Sequence, residues 1–408
     1  MNKYKIIIIG GGPAGLTAAI SAAIKGAHVC ILEHNKRVGQ KILSTGNGKC
    51  NITNLDIDAS CYNSSADSKD FYKVIEAFPP KKVIGFMNDM GLYTKNKNGY
   101  IYPNSEQASS VLDTLRHEAE RLDIDIYTDI SIKNIQHPGK WHINTGNGIF
   151  ESDKLIIAAG SACAPGSGSD GSGYKLAEGL GHSIIPVIPA LCALKCSDGF
   201  YKEIQGVRAD ALLTVYADGA KVVSERGELQ LTAYGISGIP VFQLGRHVKR
   251  LIDAKKHPTV HIDLMPDISE KLLSELLIKT TSHNPQLELQ SAVSGILNKK
   301  LTVMLIKEAG LRPSAKCSDA AQPALNMLVQ TIKNLSVHPT DTLGFESAQV
   351  CAGGVNLDEI DLNTMESKIN KNLYFAGEIL DVDGRCGGYN LQWAWASGRL
   401  AGLSAAEK

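Results

Sequence analysis

KIIIIGGGPAGLTAAISAAIKGAHVCILE, residues 5–33, decides the fold. Ile6 to Ile9 form a β-branched run suited to a strand buried on both faces, and the glycines behind it end the run abruptly. Gly10, Gly12 and Gly15 then spell G-x-G-x-x-G at the opening of an Ala-rich helix led by Pro13 and Ala14. In that pattern Gly10 makes the tight turn, Gly12 lets a pyrophosphate approach the backbone, and Gly15 lets the helix pack closely on the strand. The free N–H groups and positive end of the helix face the phosphates. A second strand, His28 to Leu32, ends in Glu33, where an acidic side chain accepts the hydroxyls of an adenosine ribose. Glycines alone describe any flexible turn. Strand, glycines, helix, second strand and acid in this order predict a dinucleotide-binding α/β unit.

A chain of 408 residues allows two or three domains. Its 42 basic and 42 acidic residues balance, so no global charge draws it to nucleic acid or to a membrane surface. No apolar run is long enough for a transmembrane helix, and the first strand leaves no room for a secretory signal ahead of it. A soluble cytoplasmic protein is expected. Nine cysteines, an odd number without paired C-x-x-C spacing, read neither as a disulfide framework nor as a zinc site. Cys192 and Cys196 lack nearby histidines, and no metal is expected.

Beyond Glu33, residues 34–54 are too rich in Gly and Asn for one regular element. Gly46, Asn47 and Gly48 permit positive φ, while Gln40, Lys41 and Lys49 offer donors to phosphate, ribityl or flavin oxygens. The loop leaves the end of the strand carrying Glu33, where open α/β sheets bind ligands. Residues 70–92 read as a helix interrupted at Pro79-Pro80, Gly99 to Pro103 as a short β segment, and Ala108 to Leu122 as an amphipathic helix. Tyr102 and Ser105 face a substrate in one reading, and are a packed ring and a helix cap in the other. Short strands at 125–128, 131–136, 141–144 and 148–150 form a meander, after which KLIIAAG, 154–160, returns as a buried parallel strand whose Gly160 can approach a nucleotide. Gly166, Gly168 and Gly171 repeat G-x-G-x-x-G by letters. No strand ending in an acid follows at the right distance, so they predict a loop into a helix.

From about Pro186 the pattern changes. Residues 193–197, 211–217, 221–228 and 230–232 read as antiparallel strands, with Asp218-Gly219 as a hairpin turn. A short helix follows Gly235-Ile236-Ser237-Gly238, then a strand at 261–264, then helices at 268–279, 292–296 and 301–309. The last block, NLYFAG at 372–377, reads as a short buried strand ending in Gly377. Asp381 then stands within reach of a polyol, and Gly387-Gly388 open a helix with Leu391, Ala394, Trp395 and Leu400 on its packed face.

GGGPAGLTAA, ILSTGNGKCNITN, GYIYPNSEQASS, GELQLTAYGISG, CAGGVNLDEIDLNTMES and NLYFAGEILDVDGRCGGYNLQWAWASG together resemble the bacterial BaiN-like or aminoacetone oxidase-like NAD(P)/FAD-dependent oxidoreductases. The resemblance spans essentially the whole chain. It implies an α/β fold in which a discontinuous Rossmann-like FAD-binding domain, 1–190 with 341–408, is interrupted by an insert. The insert comprises an antiparallel β-barrel-like part, 191–264, and a helical part, 265–340. It further implies that Gly12, Ala14, Gly15, Glu33, Lys41, Lys49, Asn51, Gly377, Asp381 and Gly388 to Leu391 touch a non-covalent FAD. Two positions depart from the family pattern: Ala233 where relatives carry a polar or ionisable group, and Cys351 where a Thr is expected beside Gly353-Gly354.

The expected function is an FAD-dependent oxidoreductase that takes hydride from a transiently bound NADH or NADPH and reduces a small organic acceptor. An activated C=C or C=N bond is the preferred acceptor. Alternatives are an amine-type oxidase using oxygen, a tRNA-modifying flavoprotein and a redox sensor. No catalytic residue is fixed; Tyr389 and Asn390 at the last helix, and Cys50 and Cys386 in the loops expected near the flavin, are candidates. The helix that starts at Gly388 is expected to point its positive end at the flavin edge that gathers negative charge on reduction.

Overall fold

The computed structural model describes residues 2–407. The chain divides into two compact units, Met1–Ile188 with Gln349–Lys408, and Pro189–Ala348. The first is built on a nine-stranded sheet centred on Asn2–Ile9. That strand pairs in parallel with Val29–Leu32 on one side and Gly148–Ile157 on the other. Asp125–Tyr127 and Leu373–Phe375 extend the parallel set outward, so Ile6 to Ile9 are enclosed on both faces as their apolar run requires. Pro13–Ile24 crosses from the first strand to the second, while Gly148–Ile157 lies on the opposite flank; the direction of winding therefore changes at the end of the first strand, where such sheets bind ligands.

Two strand expectations are corrected. Asp125–Tyr127 is a parallel edge of the main sheet, not part of the meander, which is Ile132–Gln136, Trp141–Thr145 and the start of Gly148–Ile157. The strands expected at 148–150 and 154–160 are one ten-residue strand. Its polar middle looks like a turn, but Ser152 Oγ donates to Lys154 O at 2.8 Å and Glu151 meets His142 at 3.2 Å, so the polar groups are met without a break. The C-terminal helix, Tyr389–Ala406, is buried on almost every side rather than along one face. Trp393 and Trp395 are enclosed and donate their indole N–H groups to Gly377 O and Ile52 O.

The second unit holds a seven-stranded antiparallel sheet in the order 335–337, 259–263, 208–217, 220–232, 235–237, 194–196, 339–342. Ala217 faces Ala220 across a two-residue turn whose Asp218 and Gly219 have φ of 51° and 77°, the geometry Asp-Gly dictates. The two outer strands fall where helix, or the start of the FAD-binding segment, was expected. The helices are Glu270–His283, Leu289–Val293, Lys299–Glu308 and Gln322–Lys333, and the strands Leu335–Val337 and Pro339–Thr342 follow the last of them. The helix expected to be short, after Gly238, runs from Ile239 to Asp253. Gly245 looks like a break in it, but a Cβ there would stand 3.1 Å from Cys192 O, so this glycine serves close packing.

That helix carries a pH prediction. Burial, with Arg246 and Arg250 beside it, pushes the His247 imidazole down to about 4. A histidine held neutral in the fold contributes stability that is fully present above its ordinary value near 6.5 and drains as pH falls toward 4. Urea denaturation of wild type and His247→Gln should therefore show a constant difference above about pH 6.5, with wild type losing stability relative to the variant as pH falls toward 4. Parallel curves across that window would refute the assignment.

Candidate FAD site

A cavity of about 650 Å³ opens beyond the ends of the parallel strands, lined by Gly10, Gly12, Pro13, Ala14, Glu33, Gln40, Lys41 and Gly160 among others. Gly10 has a φ of 100°, and a Cβ on it would stand 2.4 Å from Ala158 O; the chain turns there because nothing larger fits. Gly12 differs: a Cβ on it would meet no protein atom within 4 Å, because it faces the open cavity. Gly12 also caps the helix without a side-chain hydrogen bond, leaving the first N–H groups to a ligand. Gly15 serves packing, since its Cβ would lie 1.9 Å from Gly10 O.

Glu33 is only 5% exposed. Its Oε2 accepts from Gly11 N at 2.7 Å and its Oε1 from Asn35 N and Nδ2 at 2.8 and 2.9 Å. An ionised carboxylate has about four acceptor sites, and with three taken, capacity for one hydroxyl remains on Oε2. Gly39, in the left-handed region, donates its N–H to Gly11 O at 2.8 Å and starts the short helix Gln40–Ser44, which ties the two cavity loops together. Lys41 pairs with Glu378, also in the cavity wall; burial works against the ammonium, yet Glu378 outweighs it and holds Lys41 above its ordinary value.

A second cluster lies at the start of the C-terminal helix. Gly388 has a φ of 94°, and a Cβ there would meet Asn51 Oδ1 at 2.9 Å. Among the described residues that oxygen is buried with no hydrogen-bond partner, and the helix N-terminus has no side-chain cap. A buried acceptor left unmet is costly, so the cluster fits a ligand that brings an N–H donor and anionic character together. Leu391 is buried beside it and Ala394, one turn on, reaches the first cavity. Both tests, the open cradle at Gly12 and the orphaned Asn51 oxygen, fit an extended dinucleotide with a hydrogen-bonding ring.

The other expected residues have partners within the chain. Asn390 Nδ2 donates to Gly384 O at 2.9 Å while its Oδ1 accepts from Gly384 N, and the Tyr389 hydroxyl donates to Asp56 O at 3.0 Å. Asp381 Oδ2 accepts from Ser65 N at 2.8 Å and from Ser65 Oγ, holding the 64–65 loop. A Cβ on Gly377 would meet Ala14 Cβ at 2.7 Å, so Gly377 lets the last strand close on the first helix. Asn47 and Lys49 are exposed; Lys49, with Lys95 and Lys97, surrounds Glu106, and together they hold that carboxyl down to about 2. Burial pushes the Cys50 thiol up to about 12, and neither Cys50 nor Cys386 is in a disulfide.

Three parts of the wall were not anticipated: Asp129 to Lys133, Ser167 to Asp170 with Ser172 and Lys175, and Glu378. The second carried a signal in Gly166, Gly168 and Gly171. Those letters make no second nucleotide unit, but Gly168 and Gly171 turn in the left-handed region and bring the loop to the same cavity.

The family model described as the HI0933-like protein Rossmann domain matches residues 4–404. The chain belongs to that family. With the cavity and its dinucleotide-binding turn, this makes the protein an FAD-dependent oxidoreductase. It is 40% identical, over the full length of both chains, to a Clostridium scindens protein named 3-dehydro-bile acid delta(4,6)-reductase. It is 29% identical to a ribosomal RNA dihydrouridine synthase of Escherichia coli, covering 97% of this chain and 96% of that one. Among solved structures, a 3-ketosteroid delta1-dehydrogenase from Sterolibacterium denitrificans aligns over 100% of both chains at 11% identity with a TM-score of 0.53, a likeness of fold. Among the described residues no helix is long and apolar enough to cross a membrane.

Proposed function

We propose that this enzyme reduces a carbon–carbon double bond conjugated to a carbonyl in a small organic molecule, with electrons from a transiently bound NADH or NADPH. The observation that carries this is the 40% identity, end to end, with a protein named as a delta(4,6)-reductase of a 3-oxo compound. FAD, when bound, supplies the hydride chemistry. The chain supplies the rest: N–H groups at Gly12 to Ala14 for the pyrophosphate, the Glu33 carboxylate for a ribose hydroxyl, Asn51 Oδ1 for a ring N–H. The start of the helix at Gly388 favours negative charge brought to it, by about 0.3–2 kcal/mol.

A second reading follows from the ribosomal RNA dihydrouridine synthases at 29% and 30% identity over nearly whole chains. The double bond of uracil that such an enzyme reduces is also conjugated to a carbonyl, so one chemistry serves both acceptors. The balanced charge of this chain favours the small molecule. Anaerobic stopped-flow reduction by NADH and NADPH tests the donor; failure of both would remove it. The reduced enzyme is then mixed with 3-oxo steroid enones, simple enones, imines, and unmodified ribosomal RNA. Reoxidation by enones supports the proposal, reoxidation by the RNA alone moves it to the second reading, and reoxidation by oxygen alone makes the protein an oxidase.

A further inference from the structure

Cys163 and Cys351 lie 188 positions apart in sequence, yet their Sγ atoms are 2.8 Å apart. A disulfide bond is about 2.0 Å long, so closing by less than an ångström would join them. Cys163 sits in the loop after Gly148–Ile157, and Cys351 is the second residue of the strand Val350–Val355. Their residues are 0% and 5% exposed. The surroundings are polarised. Cys163 N donates to Ser161 Oγ, and Ser161 Oγ donates to Glu378 at 3.1 Å, beside Lys41 at the cavity wall.

The two thiols are unlike. Cys163 is held protonated by its hydrogen bond to Cys351 and by burial. Cys351 is drawn below the ordinary thiol value by the Cys163 thiol beside it, against burial. At 2.8 Å each sulfur is within reach of attack on the other once either is oxidised.

We propose that Cys163 and Cys351 form a reversible dithiol/disulfide site that is oxidised by hydrogen peroxide at one sulfur and closed by the other. One Sγ attacks one peroxide oxygen: an S–O bond forms, the O–O bond breaks, and the departing hydroxide takes a proton to become water. The other Sγ then attacks the oxidised sulfur; the S–S bond forms, the S–O bond breaks, and the second thiol's proton leaves with the oxygen as a second water. Two thiols have lost two electrons and peroxide has gained them. Burial excludes bulky disulfide reagents from both sulfurs, whereas peroxide is near the size of water. Disulfides in proteins of reducing compartments are usually catalytic or redox-sensing, which is the use assigned here. The site is independent of which acceptor the enzyme reduces.

The test uses the whole holoenzyme, reduced with dithiothreitol, desalted without oxygen and exposed to stoichiometric hydrogen peroxide. Mass spectrometry should show the loss of two hydrogens, and alkylation under denaturing conditions should label two fewer than the nine cysteines. Trypsin should release residues 155–175 linked to 334–368, each of which contains a single cysteine, and dithiothreitol should restore both peptides. Cys163→Ser and Cys351→Ser should each form no linked peptide, and in at least one of them dimedone should trap a sulfenic acid on the cysteine that remains. Circular dichroism of both variants establishes that they fold. Nine alkylated cysteines after peroxide, a link between any other pair, or no dimedone adduct in either variant would each overturn the proposal.

Discussion

Replacing Gly12 with Asp is expected to yield a folded but colourless protein. No protein atom lies within 4 Å of the position a Cβ would take at Gly12, and its φ of −76° suits any residue, so the substitution does not strain the chain. What it fills is the cavity in front of the uncapped helix. A carboxylate there would occupy the N–H groups proposed for the pyrophosphate and repel it. Hydrogen bonds to charged groups contribute about 1.5–3 kcal/mol each, so a loss near 3 kcal/mol, roughly hundredfold in affinity, is expected. Flavin absorbance per mole of protein after desalting measures it, with unfolding of the apoprotein as the control for folding. Gly12→Ala should fall between wild type and the Asp variant. Full FAD content in the Asp variant would mean that the pyrophosphate does not lie before Gly12.

The α/β class was legible because one βαβ unit fixes it locally. Residues 5–33 carry the buried strand, the three glycine roles and the acid within a span short enough for spacing alone to specify geometry. The Asp218-Gly219 hairpin was legible for the same reason: both residues tolerate the left-handed turn that a two-residue loop demands. What escaped depends on distant partners. Leu335–Val337 forms a strand only because Thr259–Asp263 offers it an edge, and nothing in a three-residue segment announces that. Gly245 reads as a helix breaker until Cys192 is known to press against it. Lys41 was visible as a donor, whereas Glu378, 337 positions later, was not visible as its partner. The far wall of the cavity is of the same kind, since Asp129 to Lys133 arrive there from the edge strand. The Cys163–Cys351 contact had only the faint sign of a cysteine in place of a threonine.

A valine at Gly402 should cost the first unit more stability than any surface change, and the reason lies in how the last helix meets the first. Gly398 and Gly402 are four residues apart, on one face of Tyr389–Ala406. A Cβ on them would stand 2.4 Å from Ala14 O and 2.2 Å from Ala18 O. Those neighbours are backbone, so no side chain can swing away and the helices themselves must separate. Overpacking a core costs about 1–3 kcal/mol when neighbours yield, and a contact with rigid backbone belongs at or above the top of that range. At about 2–4 °C per kcal/mol for a unit of this size, Tm should fall by roughly 6–12 °C. The two glycines then separate stability from function. Ala18 lies deeper in the first helix, whereas Ala14 both packs under Gly398 and lines the FAD cavity. Gly398→Val should therefore lower Tm as much as Gly402→Val and also weaken FAD binding, because it displaces the helix turn that meets the phosphates. Thermal unfolding and FAD titration of the two apoproteins check this together. Equal FAD affinities would mean that the cradle moves as one rigid piece with the helix, and an unchanged Tm in both would mean that the contact between the helices is slack.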